Sequence, residues 1–259
     1  MTKLGILLSV LIMTLSSSAA RATTYIIAYS GVVATESIDS GGFFGGVNAS
    51  LLGKHFVATY AADDTIVGAH YNSSPEFTTL FGGPGFPEGR PPSIVFPGTS
   101  ISPLKASLTI NGITQRFGEV NSFRGLVQKR NNITCCEESV TVDIHDSPLS
   151  GRGNTRSMSI SVYSTTNNFF DTSSFDVPFR RTLVDGDRFN SFFNLVNADS
   201  NGSSSGSVFG NFAISQISFS TLTNTGVPEP ASWLLLIVGF GLVGCSTRRI
   251  PRLLHPNSI

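Results

Sequence analysis

Between positions 104 and 117 the chain carries its strongest constraint on fold. Leu104, Ala106, Leu108 and Ile110 alternate with polar residues, Asn111-Gly112 follows, and a second short stretch runs from Ile113 to Phe117. A period of two gives a strand one apolar face, and Asn-Gly supplies the two positive-φ positions of a tight hairpin turn. A hairpin turning at Asn111-Gly112 is therefore predicted. Val140, Val142 and Ile144 repeat the alternation, as do Met158, Ile160 and Val162, with Ser, Gly, Pro or Asn clusters between them. Near the end of the body, Phe212 and Ile214 give way to Ile217 and Phe219, an odd step that would turn the buried row outward. A β-bulge near Ser215-Gln216 is predicted to absorb it. Helical periodicity is confined to the two ends of the chain. Eight or so short strands predict an all-β fold, an antiparallel β-sandwich or jelly roll, with 20 Phe available for its core. Burying one Phe contributes roughly 1.5–3 kcal/mol, so about ten offset much of the ordering entropy.

The ends obey different rules. Met1-Thr2-Lys3 precedes an apolar run from Leu4 to Leu15, and small residues then stand at Ala20 and Ala22. This is the layout of a secretory signal helix, with cleavage predicted after Ala22 by signal peptidase. At the other end Val227-Pro228-Glu229-Pro230-Ala231-Ser232 leads into an uncharged segment from Trp233 to Cys245, followed by Arg248, Arg249 and Arg252. The segment is short against the ~20 apolar residues of a stable span, so a marginal membrane helix is predicted, with Trp233 at one interface. Arg248 and Arg249 act as a stop-transfer cluster that keeps the extreme tail in the cytoplasm. The expected organisation is a signal peptide at 1–22, an exported body at 23–226, a sorting segment at 227–249 and a tail extension at 250–259.

Pro-Glu-Pro, a short apolar helix opening with Ala-Ser-Trp, and a terminal Arg cluster resemble the PEP-CTERM sorting signal of exported proteins in Gram-negative bacteria. The resemblance implies recognition of Pro228, Glu229, Pro230 and Trp233 by an exosortase, a membrane cysteine transpeptidase. It also implies a precursor anchored transiently in the inner membrane, then release to the cell surface, the extracellular space or a biofilm matrix. The same tail is similar to the C-terminal domain of some ice-binding proteins, a likeness confined to the tail. A weaker likeness to the opening of PEP-CTERM proteins runs from Gly31 to Tyr60, through Asp39-Ser40-Gly41-Gly42-Phe43-Phe44-Gly45 and Leu52 to Tyr60. Departures from the pattern are the ten residues after Arg249 and the Cys at 245.

Between the two predicted cuts lie 12 basic and 16 acidic residues, a net charge of −4. With no basic patch, nucleic acid is not an expected partner, because phosphates need clustered Lys and Arg. Pro and Gly between Phe81 and Gly98 predict a long surface loop, and the Ser- and Gly-rich stretch 197–207 a second, flexible one.

Each chemical motif has a plainer explanation. Gly202-Ser203-Ser204-Ser205-Gly206 spells the hydrolase pattern G-x-S-x-G, but its flanks do not form a strand and a helix. Gly239, Gly241 and Gly244 match a dinucleotide fingerprint inside an apolar segment, where small residues are ordinary. Leu242 to Cys245 mimics a lipoprotein box at the wrong end of the chain. Asp143 and His145 share a strand face near Asp146, Glu137 and Glu138, which reads as the solvated face of an edge strand. Asp199-x-Asn201-Gly202 and Asp185-Gly186-Asp187 read as Asx turns rather than calcium loops. The adjacent Cys135 and Cys136 leave three states open: a strained ring, an intermolecular pair or free thiols. Sequons at Asn48, Asn72, Asn132 and Asn201 mark expected loops. No catalytic set, metal site or cofactor is expected, and the first reading is a non-enzymatic exported surface or matrix protein. Two rivals stand beside it. An exopolysaccharide-binding module would display aromatics on one sheet face, with Tyr25, Tyr29, Tyr60 and Tyr71 as candidates, and a secreted hydrolase would assemble its residues in a cleft.

Overall fold

The computed structural model describes residues 23–66, 69–83, 102–118, 122–132, 137–147, 153–165, 168–199 and 201–223. The signal segment, the sorting tail, the Pro-rich stretch 84–101 and Cys135-Cys136 lie outside the described residues. Among the described residues there are fifteen strands: β1 (Thr23–Val33), β2 (Ile38–Asp39), β3 (Ala49–Ser50), β4 (His55–Asp63), β5 (His70–Ser73), β6 (Phe77–Gly82), β7 (Leu104–Ile110), β8 (Ile113–Phe117), β9 (Ser122–Asn132), β10 (Glu137–Asp146), β11 (Thr155–Ser164), β12 (Phe179–Thr182), β13 (Asp187–Ala198), β14 (Ser204–Gly210) and β15 (Phe212–Thr223). The sequence pattern had suggested about half that number. Strands as short as β2, β3, β5 and β12 leave too little alternation to be recognised locally. Among the described residues there is no helix, and the fold is all-β.

The predicted hairpin is present. β7 and β8 pair antiparallel from Ala106 opposite Phe117 to Ile110 opposite Ile113. Its turn residues Asn111 and Gly112 take φ of 53° and 81°, the left-handed pair that an Asn-Gly turn supplies. The predicted bulge is also present. Ser30 of β1 faces Gln216 of β15, while the next residue, Gly31, faces Ile214, so Ser215 is the extra residue. Phe212 and Ile214 before it, and Ile217 and Phe219 after it, are all buried, so the inward row survives the odd step. The bulge requires glycine opposite it, because a Cβ on Gly31 would overlap the Ala213 carbonyl oxygen.

Two larger antiparallel sheets carry the fold, in the orders β12-β15-β1-β4-β7-β8 and β14-β13-β11-β10-β9-β6-β5, beside a β2-β3 ribbon. Their inward rows join one hydrophobic cluster, which includes Ile27, Tyr60 and Leu108 from the six-stranded sheet and Val127, Val142 and Phe193 from the seven-stranded one. Ten Phe are buried among the described residues, matching the load estimated from composition. Stacked Phe56, Phe212 and Phe193 bridge the two sheets, with ring centroids 4.0 and 4.9 Å apart. All described residues belong to a single compact unit, Ala22–Thr223.

Stretch 197–207 departs from the expectation of a flexible loop. Most of it is the end of β13 and the start of β14, joined by a tight turn. Asp199 Oδ1 accepts from the Asn201 and Ser203 amides at 2.9 and 2.8 Å, so the small polar residues serve an Asx turn, as expected for Asp199.

Candidate functional site

Charge is concentrated where the inner faces of β9 and β10 meet the segment 168–182. Lys129 and Glu138 are both fully buried. They occupy diagonal inward positions, since Lys129 pairs with Val140 and Glu138 with Asn131. The Lys129 ammonium donates to the Ser174 carbonyl at 2.8 Å and reaches the Val177 carbonyl at 3.5 Å. It also lies 4.5, 5.2 and 5.6 Å from the ring centroids of Phe170, Phe179 and Phe219. Burial pulls its pKa down to about 8, against the opposing attraction of Glu138. The Glu138 carboxylate accepts from the backbone amides of Phe169 and Phe170. With its nitrogen turned toward Glu138, the Asn168 amide donates to Oε1 at 2.6 Å. Burial raises the Glu138 pKa, and the two amides and the Arg181 charge oppose the rise.

Arg181 extends this cluster. Its guanidinium pairs with Asp187 at 3.1 Å, donates to the Asn168 carbonyl at 2.6 Å and lies 4.5 Å over the Phe169 ring. Together these side chains tie 168–182 to the sheets. Neither buried charge has surface on which a solute could react, so the arrangement holds the fold together.

The Asp143 and His145 pair proves to be on an interior strand rather than an edge. β10 lies between β9 and β11, and Asp143 forms an ion pair with Arg124 of β9 at 3.0 Å. His145 stands opposite Arg124 and Ser157, with its pKa lowered by burial and then by Arg124. Glu138 faces inward, on the opposite side of β10 from Asp143 and His145. Among the described residues no group of three or more His, Cys, Asp or Glu could hold a metal. His55 lies on β4 in the other sheet, and His70 stacks on Phe81 at 5.1 Å. Ser204 is exposed at the start of the edge strand β14, with β15 rather than a helix to follow, so the strand-turn-helix setting of a nucleophile elbow is not formed.

The tyrosine platform is overturned. Tyr25, Tyr29 and Tyr60 point into the core, and of the four candidates Tyr71 alone is exposed. Desolvation raises the pKa of all three buried hydroxyls. Asn72, expected in a loop, lies on strand β5, and Asn132 ends β9.

Both ends of the body meet at one corner. Thr23, the first residue after the predicted signal cleavage, pairs with Thr223, the last residue of β15. The Thr23 amide donates to Asp64 Oδ1 at 3.3 Å, and the Tyr25 hydroxyl donates to Oδ2 at 3.1 Å. Ala20, Ala22, Pro228, Glu229, Pro230, Trp233, Arg248 and Arg249 lie outside the described residues. So do both predicted end helices, and no helix among the described residues is long and apolar enough to cross a membrane. Sequence reasoning missed the buried Lys129 and the Arg181 cluster. No family model matches the chain, and no match was found among curated proteins or solved structures.

Proposed function

We propose that this is a non-catalytic exported protein of a Gram-negative bacterium, sorted by an exosortase through Pro228-Glu229-Pro230 and delivered to the cell surface or extracellular matrix. In this reading the body is a β-sandwich rather than a jelly roll, because the chain lays down hairpins such as β5-β6, β7-β8 and β13-β14 alternately in the two sheets. The observation that carries the proposal is the corner where Thr23 pairs with Thr223. The two predicted cuts fall outside this pair of strands, one before Thr23 and the other after Thr223. Both cuts would flank the body and leave its core intact.

The test compares wild type with Glu229→Ala in a host carrying an exosortase. Wild type should lose residues 1–22 and its tail and leave the membrane fraction, whereas Glu229→Ala should remain unprocessed in the inner membrane. Full-length, membrane-bound protein in both would overturn the sorting reading.

A further inference from the structure

The dipeptide Asn-Gly occurs twice in the chain, at Asn111-Gly112 and Asn201-Gly202, and both copies lie exposed between hairpin strands. Glycine has no Cβ to shield its backbone nitrogen, so the side-chain amide of an asparagine before it is open to attack by that nitrogen. Packing does not separate the two copies, since a Cβ on either glycine would meet nothing within 4 Å. Hydrogen bonding does. In the β13-β14 turn the Gly202 amide donates to the Asp199 carbonyl at 3.0 Å, and Asp199 Oδ1 accepts from the Asn201 and Ser203 amides at 2.9 and 2.8 Å. Three successive amides are engaged there. In the β7-β8 turn the Asn111 amide donates to the His55 carbonyl at 3.2 Å, but among the described residues the Gly112 amide has no acceptor and the Asn111 side chain no hydrogen bond.

We propose that Asn111 is a site of spontaneous covalent modification, deamidation through a cyclic imide closed by the Gly112 nitrogen. That nitrogen forms a bond to Asn111 Cγ and gives up its proton, while the side-chain nitrogen takes a proton and leaves as ammonia. Solvent water then opens the ring. Breaking the bond from nitrogen to Cγ leaves an aspartate, and breaking the bond from nitrogen to the main-chain carbonyl carbon leaves an isoaspartate, whose chain runs through the former side chain. Ring closure needs a rotation out of the tight turn. At the end of a hairpin on the sheet edge such fraying costs little, and no hydrogen bond of the Gly112 amide has to be broken first. At Asn201 the corresponding amide bond must be given up, and the Asp199 carboxylate holds the residues on both sides. The isoaspartate lengthens by one backbone atom a two-residue loop whose length sets the register of β8. β8 is anchored by Phe117, fully buried, and by Gln115, whose side-chain amide donates to the Phe43 carbonyl at 2.7 Å. A shifted register would draw both out of place, so a change at one exposed residue would loosen β8 along its length. The proposal is independent of the sorting reading.

The test is incubation of the full-length protein in mild detergent and mildly alkaline buffer, followed over time by peptide mapping that separates the asparagine, aspartate and isoaspartate forms. Each site's rate is divided by its own rate in guanidinium chloride, which removes the influence of neighbouring sequence. Folding should slow Asn201 several-fold more than Asn111. Asp199→Ala should release the second turn and speed Asn201 several-fold without changing Asn111, whereas Asp199→Asn, which keeps an acceptor oxygen, should leave both rates as in wild type. Unchanged melting temperatures would show that the variants fold. In the isoaspartate fraction, amide hydrogen exchange along β8 should be faster than in fresh protein. Protection of Asn111 equal to or greater than that of Asn201, or an unchanged Asn201 rate in Asp199→Ala, would overturn the proposed site. Unchanged exchange along β8 would overturn the shift of register. Because the purified protein is assayed, failure here leaves the sorting comparison with Glu229→Ala standing, and the reverse also holds.

Discussion

The two sheets share one core and place their polar groups in opposite ways. Inward, the six-stranded sheet presents residues such as Tyr25, Ile27, Tyr29, Ala58 and Leu104, while the seven-stranded sheet carries the buried charges Lys129 and Glu138. Outward, the seven-stranded sheet bonds to itself, with Thr141 to Ser161 at 2.8 Å, Gln128 to Thr79 at 3.0 Å and Arg124 to Asp143 at 3.0 Å. The six-stranded sheet bonds its outer face near its two edges, with Thr109 to Thr114 at 2.8 Å and Arg180 to Gln216 at 2.9 Å, and turns out the small side chains Ala28, Thr59 and Ser107 between them. The polar contrast between the sheets is therefore sharpest inside, where one sheet buries a lysine and a glutamate and the other does not.

The comparison can be broken most forcefully at the β1-β15 seam. Gly31→Val should cost about 3 kcal/mol in urea unfolding, because its side chain would be forced into the Ala213 carbonyl. A cost within 0.5 kcal/mol would mean that the seam tolerates a side chain and that the six-stranded sheet is less constrained than described.

A smaller effect is expected from the charge inside the other sheet. Lys129 has a folded pKa of about 8 against an ordinary 10.5. Between these values the unfolded chain holds a proton that the folded chain has lost, so stability should rise with pH, by about 2 kcal/mol. The raised pKa values of Tyr25, Tyr29 and Tyr60 act in the other direction once the unfolded chain ionises near pH 10. The difference between wild type and Lys129→Met from pH 8 to 10 isolates the lysine, and parallel curves would remove its buried charge from the account.

The smallest effect sharpens the corner of the six-stranded sheet. Cleavage after Ala22 would turn the Thr23 amide, 3.3 Å from Asp64 Oδ1, into an ammonium. Asp64→Asn should then destabilise a chain beginning at Thr23 by about 0.5–1 kcal/mol more than one retaining residues 1–22. Equal losses in both would argue against an ion pair made by processing.

What was legible in the sequence was local. The hairpin turn follows from the φ preferences of two adjacent residues, and the bulge from counting the interval between Ile214 and Ile217. Tyr25 to Tyr29 run Tyr-Ile-Ile-Ala-Tyr with no polar residue between them, so nothing local said which of them turn inward, and the burial of Tyr25, Ile27 and Tyr29 on one face of β1 disqualifies the tyrosines as a platform. Position within a sheet is not local, so β10 passed for an edge strand. Lys129 gave no warning either: Leu126 and Val127 are both apolar, which obscures the inward face, and the carbonyls that receive its ammonium belong to Ser174 and Val177, far along the chain.

The pairing of Thr23 with Thr223 also sets a timetable. Of the strands, β1 emerges first from the ribosome and β15 last, and the six-stranded sheet cannot close until nearly the whole body has arrived. Such non-local closure is slow, because chain entropy must be lost before the contacts repay it. Throughout that wait β1 has β4 on one side and an unpaired edge on the other, the kind of edge that recruits neighbouring chains. The tail follows β15 in the chain, so a tail held in the membrane would keep each chain apart from its neighbours only for the final step, while β15 docks onto the open edge of β1.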